Sequence, residues 1–192
     1  EDDGLVFDLA SIQSEVIRER ALYSGVRVTL KAYLKKAQIP IRLDVGTGDA
    51  VVPDAVAVEY PALLDGMPTA VLRAYRFATA LAEKREAMVT LGMANTRMKD
   101  FYDVFVLARD HDFDGAQLVA AVRATFERRG TPLPTQTPVA WTTEFSQDEG
   151  KIRQWAAFLR KNRLDAPTLR AVVERISALA WPVFEAARGE HE

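Results

Sequence analysis

The chain has no cysteine and only two histidines in 192 residues. Disulfides, thiolate catalysis and zinc–thiolate centres are therefore excluded. A cysteine-free chain fits a reducing compartment, so a cytoplasmic location is expected. No apolar run approaches the ~20 residues that span a bilayer, and no membrane partner is expected. The first residues, Glu1-Asp2-Asp3-Gly4, carry neither a basic flank nor a signal-like segment. They also lack an initiator methionine, which suggests a processed or truncated start. Excess charge of one sign is missing too. Twenty-five basic residues face 27 acidic ones, a net charge of −2, so nothing pulls the whole chain toward nucleic acid. Phosphate-cradling glycine motifs are also absent. Gly46-Thr47-Gly48-Asp49 lacks the spacing of a P-loop or a dinucleotide turn and reads better as a strand exit.

What is present is an ordinary globular composition, with 48% hydrophobic and 27% charged residues. Local charge is uneven. Residues 1–66 hold eleven acids and seven bases, whereas residues 151–188 hold eight bases and three acids. The basic C-terminal stretch reads first as a solvated helix face and second as a surface for an RNA backbone. Three tryptophans, Trp141, Trp155 and Trp181, read as packing residues.

The order of elements predicts an α+β chain, strands first and helices after. Leu5–Asp8 reads as a strand. Residues 11–20 are ambiguous, with Ile12, Val16 and Ile17 hinting at a helix. Residues 25–34 and 39–45 alternate apolar and polar positions around the linker 35–38, which predicts an antiparallel hairpin. Ile39, Ile41, Leu43 and Val45 share one face; Arg42 and Asp44 share the other. Residues 53–70 read as a loop with a short strand near 58–60. Helices are predicted at 77–91, 99–110, 115–129, 150–161 and 167–187, with Pro167 near the first turn of the last. Two regions follow: a strand-rich part at 1–70 and a helical part at 71–192.

Four residues stand out. Lys84 sits on an apolar helix face with Leu81, Met88 and Leu91. A snorkelling lysine explains it, and so does a phosphate-binding point charge. Asp100 and Asp103 share a face of the next helix. Asp100 fits a capping role at the helix start. Asp103 lies at the core edge and needs a partner, for which Lys84 is the economical candidate. Asp44 is the lone carboxylate of its strand, readable as a solvent-facing ion pair with Arg42 or as a magnesium ligand or base. His111, between Asp110 and Asp112, reads as a surface residue.

Glu83-Lys84-Arg85-Glu86-Ala87-Met88, followed by Asn95-Thr96-Arg97-Met98-Lys99-Asp100-Phe101-Tyr102-Asp103, resembles the AbiEii/AbiGii toxin family of nucleotidyltransferases. Leu43-Asp44-Val45-Gly46-Thr47-Gly48-Asp49 fits the same pattern. The likeness spans roughly residues 5–130 and is clearest at 37–109. It implies a polymerase β-like palm sheet followed by a C-terminal helical bundle. It also implies transfer of a nucleoside monophosphate from an NTP to a hydroxyl, with RNA the expected acceptor, in a toxin–antitoxin setting. By the same resemblance Lys84 would contact the triphosphate. Asp100 and Asp103 would shape the pocket or take part in catalysis, and Asp44 would be a palm carboxylate that assists Mg2+. The family's glycine-rich turn and Asp-x-Asp strand do not occur in this sequence. The palm is thus expected to be partial, and the chain alone inactive without its metal pair. The alternative expectation is a non-catalytic interaction domain that binds an antitoxin or self-associates as a homo-oligomer.

Overall fold

The computed structural model describes residues 4–17, 25–62 and 64–189. The chain divides into two units, residues 1–49 and residues 50–192.

The first unit is a three-stranded antiparallel sheet of β1 (Leu5–Ile17), β2 (Gly25–Leu34) and β3 (Ala37–Gly46), in the order β1-β2-β3. β2 and β3 form the expected hairpin. Leu34 pairs with Ala37, so only Lys35 and Lys36 turn, with Lys35 at φ 54°. The register sets Val26, Val28, Leu30 and Ala32 opposite Val45, Leu43, Ile41 and Ile39. Side chains directly opposite each other share a face, so one side of the sheet is apolar. The other side carries Arg27 opposite Asp44 and Thr29 opposite Arg42.

The helical hint at residues 11–20 is corrected here. Through Ile17 the segment is strand, and residues 18–20 lie outside those described. A bulge between Asp8 and Gln13 breaks the alternation that would have revealed it. Ser11 bridges the bulge. Its hydroxyl donates to the Asp8 carbonyl at 2.7 Å and accepts the Lys31 N–H at 2.8 Å, standing in for a ladder acceptor.

The second unit opens with a two-stranded antiparallel ribbon, β4 (Val56–Tyr60) and β5 (Ala70–Ala74). β5 falls in and just beyond the stretch read as a loop. Among the described residues six α-helices follow: α1 (Phe77–Leu91), α2 (Met98–Asp110), α3 (Gly115–Arg129), α4 (Thr143–Gln147), α5 (Glu149–Asn162) and α6 (Leu169–Gly189). The short α4 was not expected. α6 starts at Leu169, two residues later than expected, with the Thr168 hydroxyl accepting the Ala171 N–H, so Pro167 stands just before its first turn.

The core lies inside this helical unit. Phe101, Phe126, Phe145 and Phe184 are fully buried, and Phe101 stacks on Phe145 at 5.1 Å. Trp141 stacks on Phe184 at 5.2 Å and donates its indole N–H to the Met88 sulfur at 3.3 Å. Trp155 donates to the Pro167 carbonyl at 3.0 Å. Apart from Gly115, which follows the cap, each end of α3 is marked in the sequence. Asp114 caps its N-terminus, and Gly130 at φ 64° ends it in the left-handed conformation. Among the described residues no helix is long and apolar enough to cross a membrane.

Candidate functional site

α1 and α2 run as a helical hairpin through the turn 92–97. Its tightest point is Gly92 at φ 48°, whose N–H returns to the Met88 carbonyl. Asn95, fully buried, accepts the Arg97 N–H on its side-chain oxygen at 2.8 Å. The Asn95 carbonyl accepts Lys151 Nζ, also at 2.8 Å. Lys151 is buried, with its ammonium 5.2 Å from the centre of the Phe145 ring. A lysine from α5 thus pins the turn that starts α2.

This anchoring aims α2 at α1. Lys84 Nζ donates to Asp100 Oδ1 at 2.8 Å and lies 2.7 Å from Asp103 Oδ2. The i,i+3 spacing of the two aspartates puts both carboxylates on the face that meets Lys84. Lys99 Nζ reaches Asp103 Oδ2 at 2.5 Å, and Arg97 Nε lies 2.8 Å from Asp100 Oδ2. The Asp100 side chain is nearly buried, at 5% exposure, whereas Lys84 keeps 21%, Arg97 55% and Lys99 71%. Three cations therefore face two carboxylates, and Arg97 and Lys99 hold the wet side of the cluster.

The electrostatics follow from this arrangement. Burial alone would lower the Lys84 pKa, but hydrogen bonds to Asp100 and Asp103 outweigh it and raise the value. Burial alone would raise the Asp103 pKa, but the bonds from Lys84 and Lys99 prevail and lower it. An ammonium has three N–H donors. Two of those on Lys84 are engaged by the aspartates, which hold the amine near the N-terminal end of α2.

The structure thus brings Lys84, Asp100 and Asp103 together. Asp44 belongs to the sheet unit. Its partner there is Arg27 on the neighbouring strand, with Nε and Nη2 at 2.7 and 2.9 Å from the two carboxylate oxygens. The ion pair weighed with Arg42 is made by Arg27 instead, because the hairpin register sets Arg27 directly opposite. Glu15 joins from β1 at 3.3 Å. The Asp44 bond is the main cause of a raised Arg27 pKa.

Magnesium can be tested against these residues. Both Asp44 oxygens are occupied by a guanidinium, and Asp100 and Asp103 both face an ammonium. Among the described residues, no group of three or more histidine, aspartate or glutamate side chains could hold a metal ion. Among the described residues each of these carboxylates is thus already paired with a cation.

Four contributing residues were not singled out in the sequence. Arg97 and Lys99 were within reach of it, since they stand three and four positions before their aspartates. Arg27 and Lys151 were not, because they act across 17 and 56 residues. Arg85 is a different case. It is 2% exposed, its Nε and Nη1 have no hydrogen-bond partner among the described residues, and burial lowers its pKa to about 10.

A strand-then-helix α+β chain with a lysine–aspartate helical hairpin has the character of a nucleotidyltransferase-like fold. A family model described as "Nucleotidyl transferase AbiEii toxin, Type IV TA system" matches residues 1–187, and the chain belongs to that family. No curated protein matches it.

Proposed function

We propose that the α1–α2 hairpin holds the phosphates of a nucleoside triphosphate, and that the protein takes part in transferring a nucleoside monophosphate to an acceptor hydroxyl on RNA. One observation carries this reading. Lys84 is bridged by Asp100 and Asp103 yet keeps an exposed edge, flanked by Arg97 and Lys99.

In such a transfer the acceptor oxygen attacks the α-phosphorus and pyrophosphate leaves. Negative charge builds on the leaving phosphates, and fixed cations stabilise it. Lys84 is the fixed cation, because two carboxylates hold its amine in place. Arg97 and Lys99 are longer-ranging arms on the solvent side. Asp100 and Asp103 act through Lys84 as positioning residues.

The test is transfer of α-labelled nucleotide to bulk RNA by a form of the protein supplied with the family's glycine-rich turn and Asp-x-Asp strand, and by the same form carrying Lys84→Ala. Loss of label incorporation in the variant supports the assignment. Full incorporation by Lys84→Ala overturns the role given to Lys84.

A further inference from the structure

The end of the same hairpin away from Asn95 carries a groove that the phosphate reading leaves unused. It has a volume of about 740 Å³, within the range of small-ligand sites, and lies between the β4–β5 ribbon, the start of α1 and the α2–α3 connection. Five rings line it: Tyr60, Tyr75, Phe77, His111 and Phe113. Tyr60, Tyr75 and Phe77 are 58%, 48% and 48% exposed, so three large aromatic side chains face solvent at one place. Phe77 and His111 already lie ring against ring, with centroids 4.5 Å apart.

The position is informative. Phe77 stands seven residues before Lys84 on α1, which puts both on one stripe of the helix. At 1.5 Å per residue their backbone positions are ~10 Å apart. That span is comparable to the reach from the phosphates to the base of an extended nucleotide. α2 runs the opposite way, so it carries Asp103 at one end of the stripe and His111 at the other.

The chemistry narrows the occupant. The rim offers Asp112 and Asp114 against Arg76, so it does not favour a phosphate. The Asp114 carboxylate is already used by the Ala116 N–H and the Gln117 amide. A flat, neutral ring with N–H donors fits both the stacking surfaces and the carboxylate of Asp112. Base–aromatic stacking of this kind needs no particular sequence.

We propose that this aromatic groove binds the nucleobase of the nucleotide whose phosphates lie at Lys84. The proposal rests on the phosphate reading given above and adds the site for the base.

The experiment separates the two ends of the ligand. Adenosine, guanosine, cytidine and uridine probe the groove alone, and inorganic tripolyphosphate probes the cation cluster alone. Binding to the full chain is followed by calorimetry and by saturation transfer from protein to base protons. Phe77→Ala and His111→Ala serve as groove variants, and circular dichroism checks their fold. At least one nucleoside is expected to show saturation transfer to its base, weakened about tenfold by Phe77→Ala, the loss of roughly one stacking contact. Tripolyphosphate binding is expected to be unchanged in that variant. If tripolyphosphate binds but no nucleoside gives a Phe77-dependent signal, the groove is not a base site and the inference fails while the phosphate reading stands. If nucleosides bind through Phe77 but tripolyphosphate does not bind, the phosphate reading fails and the groove survives as a base site of its own.

Discussion

At the scale of single residues, the molecule treats two neighbouring cations in opposite ways. Lys84 has two carboxylates; Arg85, one position on, is buried with no partner for two of its nitrogens among the described residues. A buried unpaired charge is costly, and apolar replacements of buried charges often stabilise. Arg85→Met is therefore expected to raise unfolding stability by about 1–4 kcal/mol, read by urea denaturation. A loss of stability would mean that the guanidinium is satisfied in a way the described contacts do not include. The paired residues carry a pH signature with opposite signs. Asp103 and Glu86 have lowered pKa values, so the unfolded chain binds protons more readily than the folded one near pH 4. Their contribution is present above the unfolded carboxylate values and is lost as pH falls through the folded ones. Lys84 has a raised pKa, so its contribution is complete below the ordinary lysine value and is lost as pH rises through the folded one. Melting temperature should thus fall on both the acid and the strongly alkaline sides. Asp103→Asn should flatten the acid limb in a thermal scan across pH.

At the scale of elements, α1, α2 and α3 were legible because apolar periodicity marks each of them, and Asp114 and Gly130 mark the bounds of α3. The meeting of Lys84 with Asp103 was legible for a related reason. Two acids at i,i+3 share a face, and a half-buried acid needs a cation. β1 was legible only in part, because its bulge hides the period of two and Ser11 mends the ladder with a side chain. β5 was hidden by the prolines that precede it, Pro61 and Pro68, and α4 is too short to show a period. The Arg27–Asp44 pair depends on strand register, which the alternation pattern alone did not supply. The turn between α1 and α2 offers a direct check. A Cβ on Gly92 would sit 3.0 Å from Val139 Cγ1, at a positive φ that other residues adopt at a cost. Gly92→Ala should lower stability by about 1–3 kcal/mol in a denaturant titration and weaken anion binding at Lys84 with it. An unchanged midpoint would show that the turn does not set the hairpin.

At the scale of the whole molecule, the large apolar cluster among the described residues lies in residues 50–192, whereas the sheet unit buries Ala32 and leaves Phe7, Val16, Leu43 and Val45 exposed. A fragment of residues 50–192 should fold by itself and melt cooperatively near the temperature of the full chain, as followed by circular dichroism. A broad, non-cooperative transition would show that the helical unit depends on the sheet. The membership in the AbiEii family assigns the chain to nucleotidyltransferase toxins; the helical unit supplies the cation cluster on which the account turns. The most direct test is calorimetric titration of the full chain with a nucleoside triphosphate, beside the Lys84→Ala variant. The account predicts saturable binding, weakened about tenfold or more when the bridged ammonium is removed. Equal affinity in the two proteins would contradict it.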